Sequence, residues 1–254
     1  MRQQGSQMGQ VKVGNVKIKI TAFDYQKLQS AFNKIELLKK QSEADLKRDL
    51  EKVSRIVHTG TSGPAEAIAR VEGGKLMDWK LLKMPGGLSL EEGLKLEFRC
   101  RKEIRKKNHE EVRKVYDKFN TTKFELIKLG DDGVIADGYT IKLDRNQLAL
   151  LKLDKRKEDA ATEAKQDELK ERYEALKDKE YKAEDDSESL VTITCHIHDG
   201  EACFIETKES KLLLMSDYNN ISSAHRKVED KIFNMYYADI AKMHSEIFNY
   251  EPAA

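Results

Sequence analysis

Little in this sequence can cross-link it or anchor it in a bilayer. The 3 cysteines, Cys100, Cys195 and Cys203, are too few and too unevenly placed for a disulfide framework. An odd count would strand a thiol in an oxidising compartment, so a reducing, intracellular, cytoplasmic setting is expected. Long apolar runs are also missing. Leu148 to Leu151 and Leu212 to Met215 are among the longest, far short of the roughly 20 residues that span a bilayer. No apolar stretch of the kind a secretory signal needs comes after Met1 and Arg2. A chain neither secreted nor membrane-spanning is expected.

Charge is abundant but balanced. Lys+Arg 46 against Asp+Glu 45 leaves a net charge of +1, so attraction to nucleic acid or anionic lipid has to come from a local patch. A charged fraction of 36% beside an apolar fraction of 39% describes much solvated surface per buried residue, the ratio of elongated helices. At 254 residues the chain can still bury a core without disulfides or metals.

Periodicity divides the chain into five stretches. Residues 1–10 are polar and expected to be disordered. Residues 11–84 hold a strand or small hairpin (Val11, Val13, Val16, Ile18 and Ile20 alternating with lysines), a long helix capped by Thr21 and Asp24 and reaching Val57, a turn over 58–64, a short helix over 65–70 and a docking segment around Trp79. In 85–144, Ser89 and Glu92 have capping-box spacing, yet Leu94, Leu96, Phe98 and Cys100 alternate with charged residues and predict a strand. A helix from 102 to 120 and two strands around Gly130–Gly133 complete this β-α-β-β segment. Residues 145–187 form a long charged helix whose apolar stripe is too thin to hold it by packing alone. In 188–254, a hairpin closing at Asp199-Gly200 and a further strand over 212–215 precede a C-terminal amphipathic helix. The expected fold is α+β and helix-rich: a small mixed β body carrying long amphipathic, coiled-coil-like helices.

Two clusters carry chemistry. A two-residue turn at Asp199-Gly200 sets His198 opposite Glu201 and His196 opposite Cys203, four side chains on one face of a hairpin. Their donors suit zinc; the alternative is a solvated polar face. Arg99, Arg101, Lys102, Arg105, Lys106 and Lys107 crowd a span whose sole counter-charge is Glu103, a candidate phosphate-binding stretch or else a solvated junction. No P-loop, dinucleotide fingerprint, catalytic triad or metalloprotease pattern occurs. The sequence therefore predicts a non-enzymatic structural or protein-interaction subunit that contacts protein partners or copies of itself through long helices. The alternative is a nucleic-acid-associated protein using residues 99–107. No cofactor is expected apart from zinc at the hairpin, and no membrane partner.

Overall fold

The β-branched alternation near the N-terminus closes as a hairpin, β1 (Met8–Val13) and β2 (Val16–Thr21), around Gly14. The computed structural model describes residues 8–185, 191–209 and 218–250, and β1 takes up the last three residues of the stretch expected to be disordered. Thr21 then caps α1 (Ala22–Val53): its hydroxyl oxygen accepts the Asp24 N–H at 3.2 Å and its O–H donates to the Asp24 carboxylate at 2.7 Å. The expected turn over 58–64 and helix over 65–70 are instead two strands, β3 (Val57–Ser62) and β4 (Ala65–Glu72), turning at Gly63-Pro64. Ala65, Ala67, Ala69 and Val71 alternate inward, a period of two that alanine's helical preference hides. β5 (Lys75–Lys83) completes this antiparallel sheet.

From Ser89 onward the capping box prevails over the alternation. Glu92 accepts the Ser89 N–H at 2.9 Å and Ser89 Oγ accepts the Glu92 N–H at 3.3 Å. The chain from Leu90 to Thr121 is one helix, α2, so the strand expected over 94–101 is absent. Three short strands, β6 (Ile127–Leu129), β7 (Gly133–Ala136) and β8 (Tyr139–Lys142), form a meander. Asp144 Oδ1 then accepts the Gln147 N–H at 2.8 Å and starts α3 (Arg145–Asp178). α3 stops before the predicted end, and Tyr181–Glu184 is a strand, β9. β10 (Val191–His198) and β11 (Glu201–Glu209) form the expected hairpin at Asp199-Gly200, and α4 (Tyr218–Phe248) ends the described chain. The strand expected over 212–215 lies outside the described residues. The class is α+β and helix-rich, and its sheets are small and antiparallel throughout the described residues.

The chain divides into two units, Met1–Asp45 with Thr121–Asp167, and Leu46–Asn120 with Glu168–Ala254. In the first, Ile18, Ile20, Leu28, Ala31, Val134, Ala136, Ile141 and Leu151 form the core. The β1–β2 turn is tied to α3 by Asp154, whose carboxylate accepts the Asn15 N–H at 2.9 Å. In the second, the β9–β11 sheet and α4 supply a core that includes Ile193, Ile197, Val228 and Ile232. The alanine face of β4 packs with Cys100 and Ile104 of α2. The approach there is close: a Cβ on Gly60 would stand 2.1 Å from the Cys100 carbonyl oxygen.

Candidate functional site

The basic stretch lies on α2 in the second unit, and helical geometry divides its charges between the interior and one flank. Arg101 and Arg105, four residues apart, are fully buried together with Glu97. Arg101 donates to Glu97 at 2.7 Å and grips Glu229 of α4 with two bonds, 3.0 and 3.2 Å. Glu97 also accepts the Ser222 hydroxyl. Arg105 donates to the Gly74 carbonyl and to Asp230 at 2.5 Å, and its guanidinium lies 4.3 Å from the Phe233 ring centre. Burial raises the Asp230 pKa, an effect that Arg105 opposes. The same carboxylate accepts the Leu76 N–H at 3.0 Å, fixing the start of β5 against α4. Each buried charge thus has partners, the condition under which a buried ion cluster is tolerated.

The lysines meet the hairpin. Lys102 and Lys106 reach Glu201 at 2.9 and 2.8 Å, and these bonds, that of Lys106 first, hold the Glu201 carboxyl below its ordinary range. Phe204 stacks edge-on against Phe98 at 4.7 Å, and Arg113 stands 3.7 Å from Asp199. Gly200 is required at this junction, since it has φ +79° and a Cβ there would fall 2.4 Å from the His109 Cβ. The two sequence-predicted clusters therefore face each other, with the lysines of one seating the turn of the other. Lys107 has a separate role. It donates to the Thr59 carbonyl at 2.6 Å and pairs with Glu103 at 2.9 Å, while Glu103 accepts the Thr61 N–H and hydroxyl. These bonds close the outer edge of β3. Arg99 is exposed.

On the hairpin, the predicted register holds: His196 lies opposite Cys203 and His198 opposite Glu201. The side chains do not converge. His196 Nδ1 lies 3.1 Å from the Lys179 carbonyl oxygen, Glu201 is engaged by two lysines, and Cys203 is exposed. Among the described residues no three His, Cys, Asp or Glu side chains are grouped so as to hold a metal ion.

Sequence reasoning missed the buried histidines His58, His109 and His244. His244 on α4 stacks on Tyr116 at 4.1 Å and hydrogen-bonds Asn120 at 3.3 Å and the Tyr173 hydroxyl at 2.8 Å. His109 lies beside Tyr236, with neither ring nitrogen hydrogen-bonded. Burial pushes the His109 and His244 imidazoles down to about 4, so both are neutral near pH 7. A cavity of about 140 Å³ in the same unit is lined by Leu50, Val53, Val71, Asn108, Tyr116 and Tyr237 among others.

Apolar side chains stand uncovered on the helices of the first unit: Phe23, Tyr25 and Leu37 on α1, and Leu150 and Leu153 on α3. Along α3, every residue from Lys155 to Glu168 is exposed, about four turns of helix. Among the described residues no helix is long and apolar enough to cross a membrane. No family model, curated protein or solved structure matches the chain. The geometry of these side chains is what bears on function.

Proposed function

We propose that this chain is a non-enzymatic structural or protein-interaction subunit of a larger assembly, contacting protein partners or copies of itself through its long helices. The observation that carries the reading is α3. Leu151 is its one fully buried residue among those described, and every residue from Lys155 to Glu168 is exposed. Isolated helices of this length are marginal in water. Alanines at 160, 161 and 164 and ion pairs such as Lys155–Glu158 and Lys155–Asp159 support it locally, each pair contributing a few tenths of a kcal/mol. Just before this stretch, Leu150 and Leu153, 54% and 51% exposed, share a side of the helix at a spacing of three. A partner helix laid against α3 would cover both.

The competing reading, nucleic-acid contact through residues 99–107, has less to draw on. Arg101 and Arg105 are committed to buried carboxylates, and Lys102 and Lys106 would first have to release Glu201. The test is light scattering on protein purified gently from its native source. The expected result is a nuclease-resistant complex well above the 29.2 kDa of the chain, lost when Leu150 and Leu153 become serine while the helical circular dichroism is kept. A monomer under all conditions contradicts the proposal, and a complex dissolved by nuclease favours the competing one.

A further inference from the structure

The exposed sheet edges of the second unit are treated in two different ways. The outer edge of β3 is closed by Glu103 and Lys107 of α2. β11 pairs with β10 alone, and among the described residues no strand lies along its other side. Which of its backbone groups face outward is fixed by the ladder. Val191 accepts the Asp185 N–H from the β9 side at 3.0 Å, so Val191, Ile193 and Cys195 turn their backbone groups to β9. Alternate residues of an antiparallel strand bond to opposite neighbours. Thr207 and Glu209, opposite Ile193 and Val191, therefore point their N–H and C=O groups away from β10, to the side on which no described strand lies.

We infer that this edge pairs with the β11 of a second copy, antiparallel about a two-fold axis through Thr207, joining two three-stranded sheets into one of six strands. The side chains select both the partner and the register. With the axis at Thr207, Glu206 lies opposite Lys208 of the second copy and Lys208 opposite its Glu206. Since Lys208 and Glu206 already pair within the chain at 3.2 Å, four alternating charges meet on one face. The two threonines lie side by side, a favourable cross-strand pair. An axis through Glu206 or Lys208 would set like charges face to face. The irregularity between Thr194 and Cys195, which leaves Ile205 without a partner in β10, bends the edge and ends the new ladder there. Ile205, 53% exposed, sits at that limit and loses exposure on pairing. A ladder this short gives a weak, concentration-dependent dimer.

This inference deepens the assembly reading by naming a second copy as one partner. It can fail separately, because it uses β11 and not α3. The experiment is sedimentation velocity on the purified full chain over a concentration series, with hydrogen exchange at the Thr207 and Glu209 amides. A dimer that grows with concentration and protects both amides is expected. Thr207→Pro should abolish it while leaving the chain's own ladder intact, because the lost N–H points outward. Glu206→Lys alone and Lys208→Glu alone should each weaken association about tenfold, as two attractive pairs become repulsive ones. The double exchange E206K/K208E should restore it. Should the proline variant not fold, the charge exchange decides alone. A chain monomeric at every concentration, a dimer indifferent to T207P, or a double exchange that fails to restore association overturns the inference. If the chain alone is monomeric while its complex with other proteins persists, the β11 dimer is wrong and the assembly reading stands.

Discussion

Helices α2 and α3 have almost the same length, 32 and 34 residues, and similar charge-rich sequences, yet they are held in opposite ways. α2 buries nine residues, including Glu97, Arg101 and Arg105, whereas α3 buries Leu151. Charge content does not separate them; the destination of the charge does. On α2 the charges at four-residue spacing meet Glu229 and Asp230 of α4 and become part of the interior, while in the exposed middle of α3 a residue such as Lys155 pairs with Glu158 and Asp159 of its own helix in water. A charged helix is therefore a poor guide to exposure until its cross-helix partners are known, and on α3 they lie near its C-terminal end, where Arg172 pairs with Glu246 of α4 and Tyr173 with His244.

The largest effect of any single residue should come from breaking the buried cluster. Glu229→Ala leaves the Arg101 guanidinium buried without its bidentate partner and should cost about 3–5 kcal/mol, read as a drop in the urea midpoint. Replacing Arg101 and Glu229 together by methionine and leucine should recover most of the loss. Next in size is acid. His109 and His244 have folded values of about 4 against an ordinary 6.5. Their contribution is therefore complete above about pH 6.5 and is lost as the pH falls toward 4, roughly 3 kcal/mol for each. Denaturant titrations at pH 7.5 and 4.5 read this, and His244→Phe should remove one proton's share of the slope. The smallest effect belongs to α3. Ala161→Gly should cost at most about 1 kcal/mol, seen as reduced helical circular dichroism, whereas Ile104→Ala on α2 should cost about 2–5 kcal/mol and lower the global midpoint.

Much of the secondary structure is legible in the sequence, and the failures share a cause. The hairpin register at 196–203 can be read because a two-residue Asp-Gly turn leaves little freedom, and both residues adopt positive φ, 48° and 79°. The caps at Thr21, Ser89 and Asp144 also form as their residue types indicate. The start of α2 reads as a strand because its buried face carries Glu97, Arg101 and Arg105, which an apolar pattern discards, leaving the incidental alternation of Leu94, Leu96, Phe98 and Cys100. β4 escapes detection because its inward residues are mostly alanines. The arginine cluster has a signal in the sequence: Glu97, Arg101 and Arg105 at helical spacing, and Glu229-Asp230 set between the apolar Val228 and Ile232 of α4. Nothing local, however, shows which helix a charge will face, and the meeting of the 99–107 stretch with the 196–203 hairpin depends on tertiary packing.

The contrast between the two helices is tested most directly by hydrogen exchange on the isolated chain. Amides of α3 between Lys155 and Glu168 should exchange orders of magnitude faster than those of α2 between Glu97 and Tyr116, because only α2 must wait for the packed core to open. A partner laid against α3, as proposed, should slow these amides. Equal, slow exchange along both helices in the isolated chain would contradict the account, since α3 would then be held by contacts of its own and have no need of a partner.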